Sequence, residues 1–475
     1  NGFDVASCTL EPSFFCEKYG FQGRLDLLQL SNDETGIDRI IELKSGKPPY
    51  PREDVTKIAP NHETQTAIYR LMIQSVFGKD ARHIYPTILY SSAENAGENI
   101  RFAAIYQQLE KEIINVRNLI VATEHDVYIG DTQHVEKVFR NLFNLDNYGR
   151  VPQFFIDKLA ELEKVIDKAT PLERIYFYRY IRFITRELYL QKTGDEGYNT
   201  SMSVSALWNT SFEERQDSLD LIANLEIEDI DDSGRDMIIR FRRDKDDCVN
   251  FREGEICILY PRHKSEESVL TNQILKGTVV EISSYHLVLR FRYKQRNRNF
   301  FSRYRYWAVE HDKLDHSYNA MYKGLYAFLS APNDKKELLL GLREPLSSTL
   351  YELETDATKE TKQKNIIDKA LAAEDYFLIV GPPGTGKTSI FARQLIECFH
   401  AGENTNILVM AYTNRAVDEL CASICQAFGE SEDKCDRYIR IGSELSCGEG
   451  YRHRLLQNIS HEAGNRKELI QTIDL

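Results

Sequence analysis

The sequence predicts a multidomain α/β protein, and three observations carry that expectation. The chain of 475 residues is longer than one ordinary domain. Its apolar periodicity changes along the chain, from mixed strand and helix patterns to helices, then to short strands, then back to a strand–helix alternation. Finally, the apolar run YFLIV (376–380) leads straight into GPPGTGKT (381–388) and an amphipathic helix, the order that an α/β phosphate-binding unit requires. Four segments are expected: a mixed α/β core at 1–100, a helical extension at 101–223, a small antiparallel β-barrel at 224–325, and an α/β unit around the glycine-rich loop at 326–475.

Composition restricts the function classes. The chain is 42% hydrophobic and 28% charged, as in globular domains, and no apolar run approaches the roughly 20 residues of a membrane span. A net charge of -13 argues against a general polyanion coat, so contact with nucleic acid must come from local basic patches. The nine cysteines are scattered, with no C-x-x-C, which points to a reduced, cytoplasmic protein without a disulfide framework or a structural zinc. Cys421 and Cys425 share a helix face, where packing is the ordinary role. The first residues, NGFDV, lack a methionine, and the chain reads as a piece of a longer protein.

In the first segment, FQGRLDLLQL (21–30) and IDRIIELK (37–44) flank the turn-rich SNDETG (31–36), which predicts a β-hairpin. The midpoint of Asp26 and Glu42 is residue 34, inside that turn, so a regular register sets the two acids opposite one another on one face, Cβ atoms about 5 Å apart. Facing carboxylates repel unless positive charge lies between them. Lys44 supplies one such charge, and a divalent ion would supply the rest. Downstream, NHETQTAIYRLMIQSVF (61–77) has helical spacing, with His62, Gln65 and Tyr69 on one stripe.

Gly23-x-x-Asp26, Glu42-Leu43-Lys44 and Gln65-x-x-x-Tyr69 resemble the PD-(D/E)XK nucleases, in particular the RecB-like branch. ELKSGK and the helix H-x-x-Q-x-x-x-Y are similar to the nuclease domain of the Okazaki-fragment-type nuclease-helicases. The resemblance implies that Asp26, Glu42 and the Leu43 carbonyl hold Mg²⁺ or Mn²⁺, that Lys44 orients the attacking water or neutralises the scissile phosphate, and that Gln65 and Tyr69 position that phosphate. Many relatives add an iron–sulfur cluster, but no cysteine lies between Cys16 and Cys248, so no cluster is expected here.

Helical patterns fill about 100–215, with Arg179, Arg182 and Arg186 at i, i+3, i+7; a solvated face is the ordinary role of such a stripe. NLEIEDIDDSGRD (224–236) reads as an acidic linker. The strands MIIRFRR, EICILYPR, LKGTVVEIS, YHLVLRFRYK and RYRYWAVEHD then predict the barrel. From 290 to 307 seven cations (Arg290, Arg292, Lys294, Arg296, Arg298, Arg303 and Arg305) alternate with aromatic residues. Such interleaving suits either single-stranded nucleic acid or a soluble strand edge.

The loop from Gly381 to Ser389 (Gly381, Pro382, Pro383, Gly384, Thr385, Gly386, Lys387, Thr388, Ser389) predicts an ATP site. Backbone N–H groups would cradle the phosphates, Lys387 would reach the β- and γ-phosphates, and Thr388 would bind Mg²⁺. Gln363, eighteen positions before Gly381, resembles the adenine-reading glutamine of superfamily 1 and 2 helicases. NILVMAYTNRAVDEL (406–420) is similar to motif Ia of the Upf-like superfamily 1 helicases, which implies that Thr413, Asn414 and Arg415 hold single-strand phosphates. Asp418 and Glu419 lie inside the following helix and are not a metal-binding acid pair. RYIRIGSE (437–444) reads as the next strand, and the acid pair, the arginine finger and the second motor domain are expected beyond residue 475.

Together these resemblances imply a RecB-like PD-(D/E)XK nuclease core fused, through a barrel, to a truncated RecA-like motor: an ATP-dependent helicase and metal-dependent nuclease of replication or repair, acting on single-stranded DNA or on RNA, with Mg²⁺ (or Mn²⁺) and ATP as cofactors and no membrane partner. Two alternatives stand beside it, an Upf-like RNA or ribonucleoprotein helicase with an inert nuclease module and a phage-defence nuclease-helicase. A DNA-binding scaffold without turnover is the non-enzymatic reading.

Overall fold

The computed structural model describes every residue except 1–4, 32–35, 96, 105, 148, 150, 196–202, 235, 244–248, 263–266, 314–316, 349–358, 383, 402–405, 432–434 and 463–475. It divides into two compact units, Asn1–Ser330 and Ala331–Leu475.

The first unit opens with strands β1 (Cys8–Leu10), β2 (Ser13–Cys16), β3 (Phe21–Arg24), β4 (Leu27–Gln29) and β5 (Asp38–Lys44). Helix α1 (Pro60–Phe77) follows, then β6 (Ile84–Tyr90) and β7 (Ile100–Phe102). Five strands form one sheet in the order β1-β4-β5-β6-β7, and β2 and β3 form a separate pair. Every pairing in the large sheet is antiparallel except β5 with β6, which is parallel because α1 carries the chain back across the sheet. Leu28, Ile40, Met72, Ile73 and Ile84 bury the interface between α1 and the sheet. The expected single strand at 21–30 is therefore broken at Leu25 and Asp26. Leu25 is fully buried and its N–H bonds the Pro12 carbonyl at 3.0 Å, which turns β3 away toward β2.

Four long helices come next: α2 (Gln107–Ile129), α3 (Thr132–Leu142), α4 (Gln153–Lys168) and α5 (Pro171–Thr193). Helix α5 starts where the sequence T-P-L-E supplies a capping box, Thr170 with Glu173, and Pro171 at the first turn. Arg179 and Arg186 are exposed and Arg182 is half-buried, as on a solvated face.

Short helices α6 (Ala206–Asn209) and α7 (Phe212–Asp217) lead into β8 (Leu221–Asp231), β9 (Met237–Arg242), β10 (Ile256–Pro261), β11 (Leu275–Ile282) and β12 (His286–Phe291). Helix α8 (Arg298–Arg303), β13 (Trp307–His311) and α9 (Tyr318–Ser330) complete the unit. The six strands close an antiparallel barrel in the order β10-β11-β12-β9-β8-β13. Two expectations are corrected here. The acidic stretch at 224–236 is not a linker, since β8 runs through it: Leu225, Ile227 and Ile230 face inward while Glu226, Glu228 and Asp232 meet cations of neighbouring elements. In turn, much of the basic run at 290–307 is spoken for. Arg305 pairs with Glu226 at 2.7 Å, Arg298 with Asp232 and Arg290 with Asp236 at 3.8 Å. Phe300, Phe301 and Tyr304 pack around the fully buried Trp307 with ring centroids 5.4–5.9 Å away. The acids and bases neutralise one another across the barrel wall, and the aromatic rings belong to its core.

Strand β2 joins the barrel to the large sheet. Its side chains alternate, so Phe14 and Cys16 enter the core under α1 while Phe15 packs with Ile258, Tyr260, Ile274 and Ala308 of the barrel side. Ser13 and Ile274 exchange both backbone hydrogen bonds, each at 2.9 Å.

The second unit holds α10 (Asn333–Leu339), α11 (Lys359–Ala372), α12 (Arg393–Ala401), α13 (Asn414–Ala427) and α14 (Leu456–Glu462). The apolar runs at 376–380, 406–412 and 437–444, expected as strands, form no ladder; among the described residues this unit has only the isolated bridges Ser347–Ala373 and Arg440–Leu455. Val380 and Met410 are 97% and 78% exposed. Near-continuous apolar runs are the pattern of strands covered on both faces in a parallel sheet, and the described residues here bring no paired neighbour beside them.

Candidate functional sites

The first candidate site lies where β4, β5 and α1 converge. The hairpin pairs Leu27 with Ile41, Leu28 with Ile40 and Gln29 with Arg39, a register centred on residue 34. Continued by one residue, it sets Asp26, at the break before β4, opposite Glu42. Asp26 is pinned there, because its Oδ2 accepts the Leu43 N–H at 2.6 Å. Glu42 is 4% exposed. Its Oε1 accepts from Lys44 Nζ at 2.9 Å and from Gln65 Nε2 at 2.7 Å. Lys44 Nζ also donates to Gln65 Oε1 at 2.8 Å. Gln65 and Tyr69, one turn apart on α1, are linked at 2.9 Å, and the Tyr69 hydroxyl donates to the Arg24 carbonyl at 2.8 Å. Asp26, Glu42, Lys44, Gln65 and Tyr69 are thus brought together, with Leu43 between the two acids and its side chain outward. His62 lies at the end of the stripe, bonded through Nδ1 to the Tyr90 hydroxyl at 2.9 Å; burial and the neighbouring Lys44 charge lower its pKa.

The electrostatics follow from burial. Desolvation raises the Glu42 pKa above the ordinary glutamate value, the Asp26 charge adds to the rise, and bonds from Lys44 and Gln65 only partly oppose it. Glu42 Oε2 is buried with no hydrogen-bond partner. A cation is the missing counterpart of such an oxygen. Among the described residues no group of three or more His, Cys, Asp or Glu is placed to hold a metal. A hard cation such as Mg²⁺ nevertheless needs only one or two protein carboxylates and keeps several waters, so Asp26, Glu42 and a backbone carbonyl fit it.

Two residues near this site escaped the sequence motifs. Glu11 pairs with Arg24 at 2.7 Å, and its N–H bonds the Asp26 carbonyl at 3.0 Å. No spacing marks Glu11, because the break at Leu25 is what brings it alongside. The glycine of Gly23-x-x-Asp26, by contrast, acquires a physical reason. A Cβ at Gly23 would lie 3.1 Å from the Tyr69 ring and 3.3 Å from Met72. Gly23→Ala is expected to cost about 1–3 kcal/mol by overpacking and to push the Tyr69 hydroxyl off the Arg24 carbonyl. An unchanged urea midpoint would contradict that close approach.

The second candidate site is the glycine-rich loop. Gly381, Pro382, Gly384, Thr385 and Gly386 wrap toward a π-helical turn at Lys387–Ala392 that runs into α12; Pro383 lies outside the described residues. Gly386 has φ +84°, and a Cβ there would meet Ile390 at 2.7 Å, so only glycine suits the turn. Lys387 Nζ donates to the Gly381 carbonyl and, at 3.0 Å, to the Pro382 carbonyl. The Thr388 carbonyl accepts from Ser423 of α13 at 3.1 Å, while Ser389 is exposed. Gln363 lies half-buried on α11. Thr413 caps α13 by accepting the Ala416 N–H at 3.2 Å, Asn414 is the first helical residue, and the Arg415 guanidinium lies 3.4 Å from Glu419. Asp418 is inside α13 and binds the buried Arg440 at 2.8 Å, a structural role.

Comparison with known proteins places this region. Residues 359–472 match an AAA domain family. The chain is 44% identical over 70 residues to the DNA replication ATP-dependent helicase/nuclease DNA2 of Saccharomyces cerevisiae, covering 15% of the chain and 4% of that protein. It is 27% identical over 191 residues to the DNA replication ATP-dependent helicase/nuclease JHS1 of Arabidopsis thaliana, covering 37% and 14%. An uncharacterized ATP-dependent helicase of Methanocaldococcus jannaschii is 23% identical over 209 residues, 43% of the chain and 29% of the relative. The chain therefore spans a small part of each of these longer proteins. By its AAA domain and by these relatives, the chain is similar to the DNA2-like superfamily 1 helicases.

Proposed function

We propose that the chain is the nuclease-bearing part of an ATP-dependent nuclease-helicase, in which a superfamily 1 motor feeds single-stranded DNA to a PD-(D/E)XK nuclease core at 1–100, extended by the helices at 101–223. The barrel at 224–325 and the motor segment at 326–475 complete the proposed organisation. The observation that carries this reading is the Glu42–Lys44–Gln65–Tyr69 network, with Glu42 Oε2 buried and without a hydrogen-bond partner near the Asp26 charge. A buried carboxylate oxygen left without a partner costs about 1–3 kcal/mol, which a bound cation would offset.

In this reading Asp26, Glu42 and the Leu43 carbonyl would hold Mg²⁺ or Mn²⁺, which when bound lowers the pKa of water and stabilises charge on the phosphoryl oxygens. The chain's own groups do the rest. Lys44, held by two bonds, keeps its ammonium fixed beside the acids to neutralise the scissile phosphate. Gln65 holds Lys44 and Glu42 at a set distance, and Tyr69 anchors Gln65 to the backbone at Arg24. In the second unit, Lys387 and Thr388 would serve the nucleotide phosphates and their Mg²⁺, Gln363 the adenine, and the Thr413–Arg415 turn the single strand. Hydrolysis and strand movement belong to the whole protein. Among the described residues no helix is long and apolar enough to cross a membrane.

The test is end-labelled single-stranded DNA incubated with the full-length protein across a pH series, with Mg²⁺ or with chelator. Metal binding needs ionised Glu42, whose pKa is raised. Cleavage is expected only with metal, and, because metal and proton compete for Glu42, its acid limb is expected to move to lower pH as the metal concentration rises. Without metal the sign reverses for stability: the folded state binds the proton more tightly than the unfolded one, so the thermal midpoint gains from Glu42 as pH falls through its folded pKa. Metal-independent cleavage, or an acid limb that does not move with metal concentration, would count against the site.

A further inference from the structure

Within the basic run at 290–307, Arg290, Arg298 and Arg305 pair with acids of the barrel. Just after β12, Arg292 is exposed and its guanidinium stands over the Tyr293 ring, 5.7 Å from the centroid. This corner is fastened to the large-sheet side of the unit rather than to solvent. Gln295, 3% exposed, grips Leu10 with both ends of its amide, accepting from the Leu10 N–H at 2.9 Å and donating to its carbonyl at 2.7 Å. Gln273 adds a bond to Thr9 at 3.2 Å. The next residue is Glu11, held at φ +52°, a left-handed conformation that side-chain-bearing residues rarely adopt. Its N–H is bonded to Asp26, and its carboxylate meets Arg24 at 2.7 Å, the Tyr293 hydroxyl and the field of Arg292.

We propose that Arg24, Arg292 and Tyr293 form a subsite for the single strand beside the Asp26–Glu42 pair, so that the barrel supplies part of the grip on the strand to be cut. The proposal rests on the nuclease reading of that pair. Two guanidinium groups and a ring around one carboxylate offer what a single strand needs, charge for the backbone and a face for a base. Glu11 does not cancel this grip. The Arg24 guanidinium has five N–H donors in a rigid fork, and Glu11, by taking one of them, turns the remainder outward in a fixed direction. Glu11 is in this arrangement a positioning residue, and the strained backbone at φ +52° is the local cost of setting it there.

The experiment compares Arg292→Ala, Tyr293→Leu, Tyr293→Phe and Glu11→Gln in the full-length protein. Binding of an end-labelled oligothymidylate is read by fluorescence anisotropy in the Lys44→Ala background, and KM for cleavage is read with Lys44 intact. Arg292→Ala and Tyr293→Leu are each expected to weaken binding about tenfold and to raise KM more than they lower kcat. Tyr293→Phe, which keeps the ring, is expected to stay near the parent value. Arg292→Ala is further expected to reduce the slope of log affinity against log salt by about 0.7, the loss of one single-strand phosphate contact, whereas Tyr293→Leu leaves that slope unchanged. Affinity unchanged within twofold in both Arg292→Ala and Tyr293→Leu would overturn the subsite, as would losses that only track a fall in thermal midpoint. Glu11→Gln, which loosens the hold on Arg24, is expected to weaken binding as well, and parent affinity there would remove Glu11 as a positioning residue. Should the parent protein fail to cut with any metal while Arg292→Ala still weakens binding with the altered salt slope, the nuclease reading falls and the strand contact stands.

Discussion

Lys44→Ala is expected to reduce Mg²⁺-dependent cleavage of single-stranded DNA by at least about 10²–10³-fold, the usual effect of deleting a fixed charge-stabilising donor. Two consequences compound. The ammonium that neutralises the scissile phosphate disappears, and the bonded partner that lowers the Glu42 pKa goes with it. Glu42 would then hold its proton to still higher pH, weakening the metal at neutral pH as well. Lys44→Arg keeps the charge but cannot reach Glu42 Oε1 and Gln65 Oε1 in the same compact geometry, so a partial loss is expected there. Nucleotide binding, read with a fluorescent ATP analogue, is expected to stay at the parent level, since Lys44 belongs to a different compact unit from the glycine-rich loop. Cleavage within a few-fold of the parent would remove Lys44 from the machinery.

Lys387→Ala is expected to give the reciprocal result, with ATP binding and hydrolysis lost by two orders of magnitude or more and metal-dependent cleavage of a short single strand retained. The Lys387 ammonium donates to the carbonyls of Gly381 and Pro382, and nucleotide phosphates, being anionic, are the stronger acceptors. The alanine variant thus lacks the charge for the β- and γ-phosphates and leaves two loop carbonyls without their donor. ATP-dependent strand movement in the full-length protein should fail with it. Parent-level hydrolysis by Lys387→Ala would show that the loop does not serve ATP.

The parts of the candidate sites that were legible in the sequence were those set by spacing along one element. Gln65 and Tyr69 meet because four residues make one helical turn, and Asp26 faces Glu42 because strand registers are integers about a turn centred on residue 34. The same local arithmetic located Lys387, Thr388 and the cap at Thr413. Where the reading failed, a partner distant in sequence decided the outcome. The acids of 224–231 looked like solvated linker until Arg305 and His286 appeared across the barrel wall. The aromatic residues of 300–307 suited either a single-strand surface or a soluble strand edge, and Trp307 collects Phe300 and Tyr304 into the barrel core instead. Glu11 carries no motif, and its place beside Asp26 depends on the turn of the chain at Leu25.

By itself, then, the sequence determined the hairpin register and the helix stripe, because covalent spacing and periodicity impose these before any distant contact forms. Tertiary structure alone decided which charges are neutralised, which oxygen of Glu42 is left without a partner, and which two cores Phe14 and Phe15 enter from adjacent positions on one short strand. The reason is physical: burial and ion pairing are properties of neighbours in space, and the free energy of a carboxylate or a ring is set by what surrounds it rather than by what precedes it in the chain.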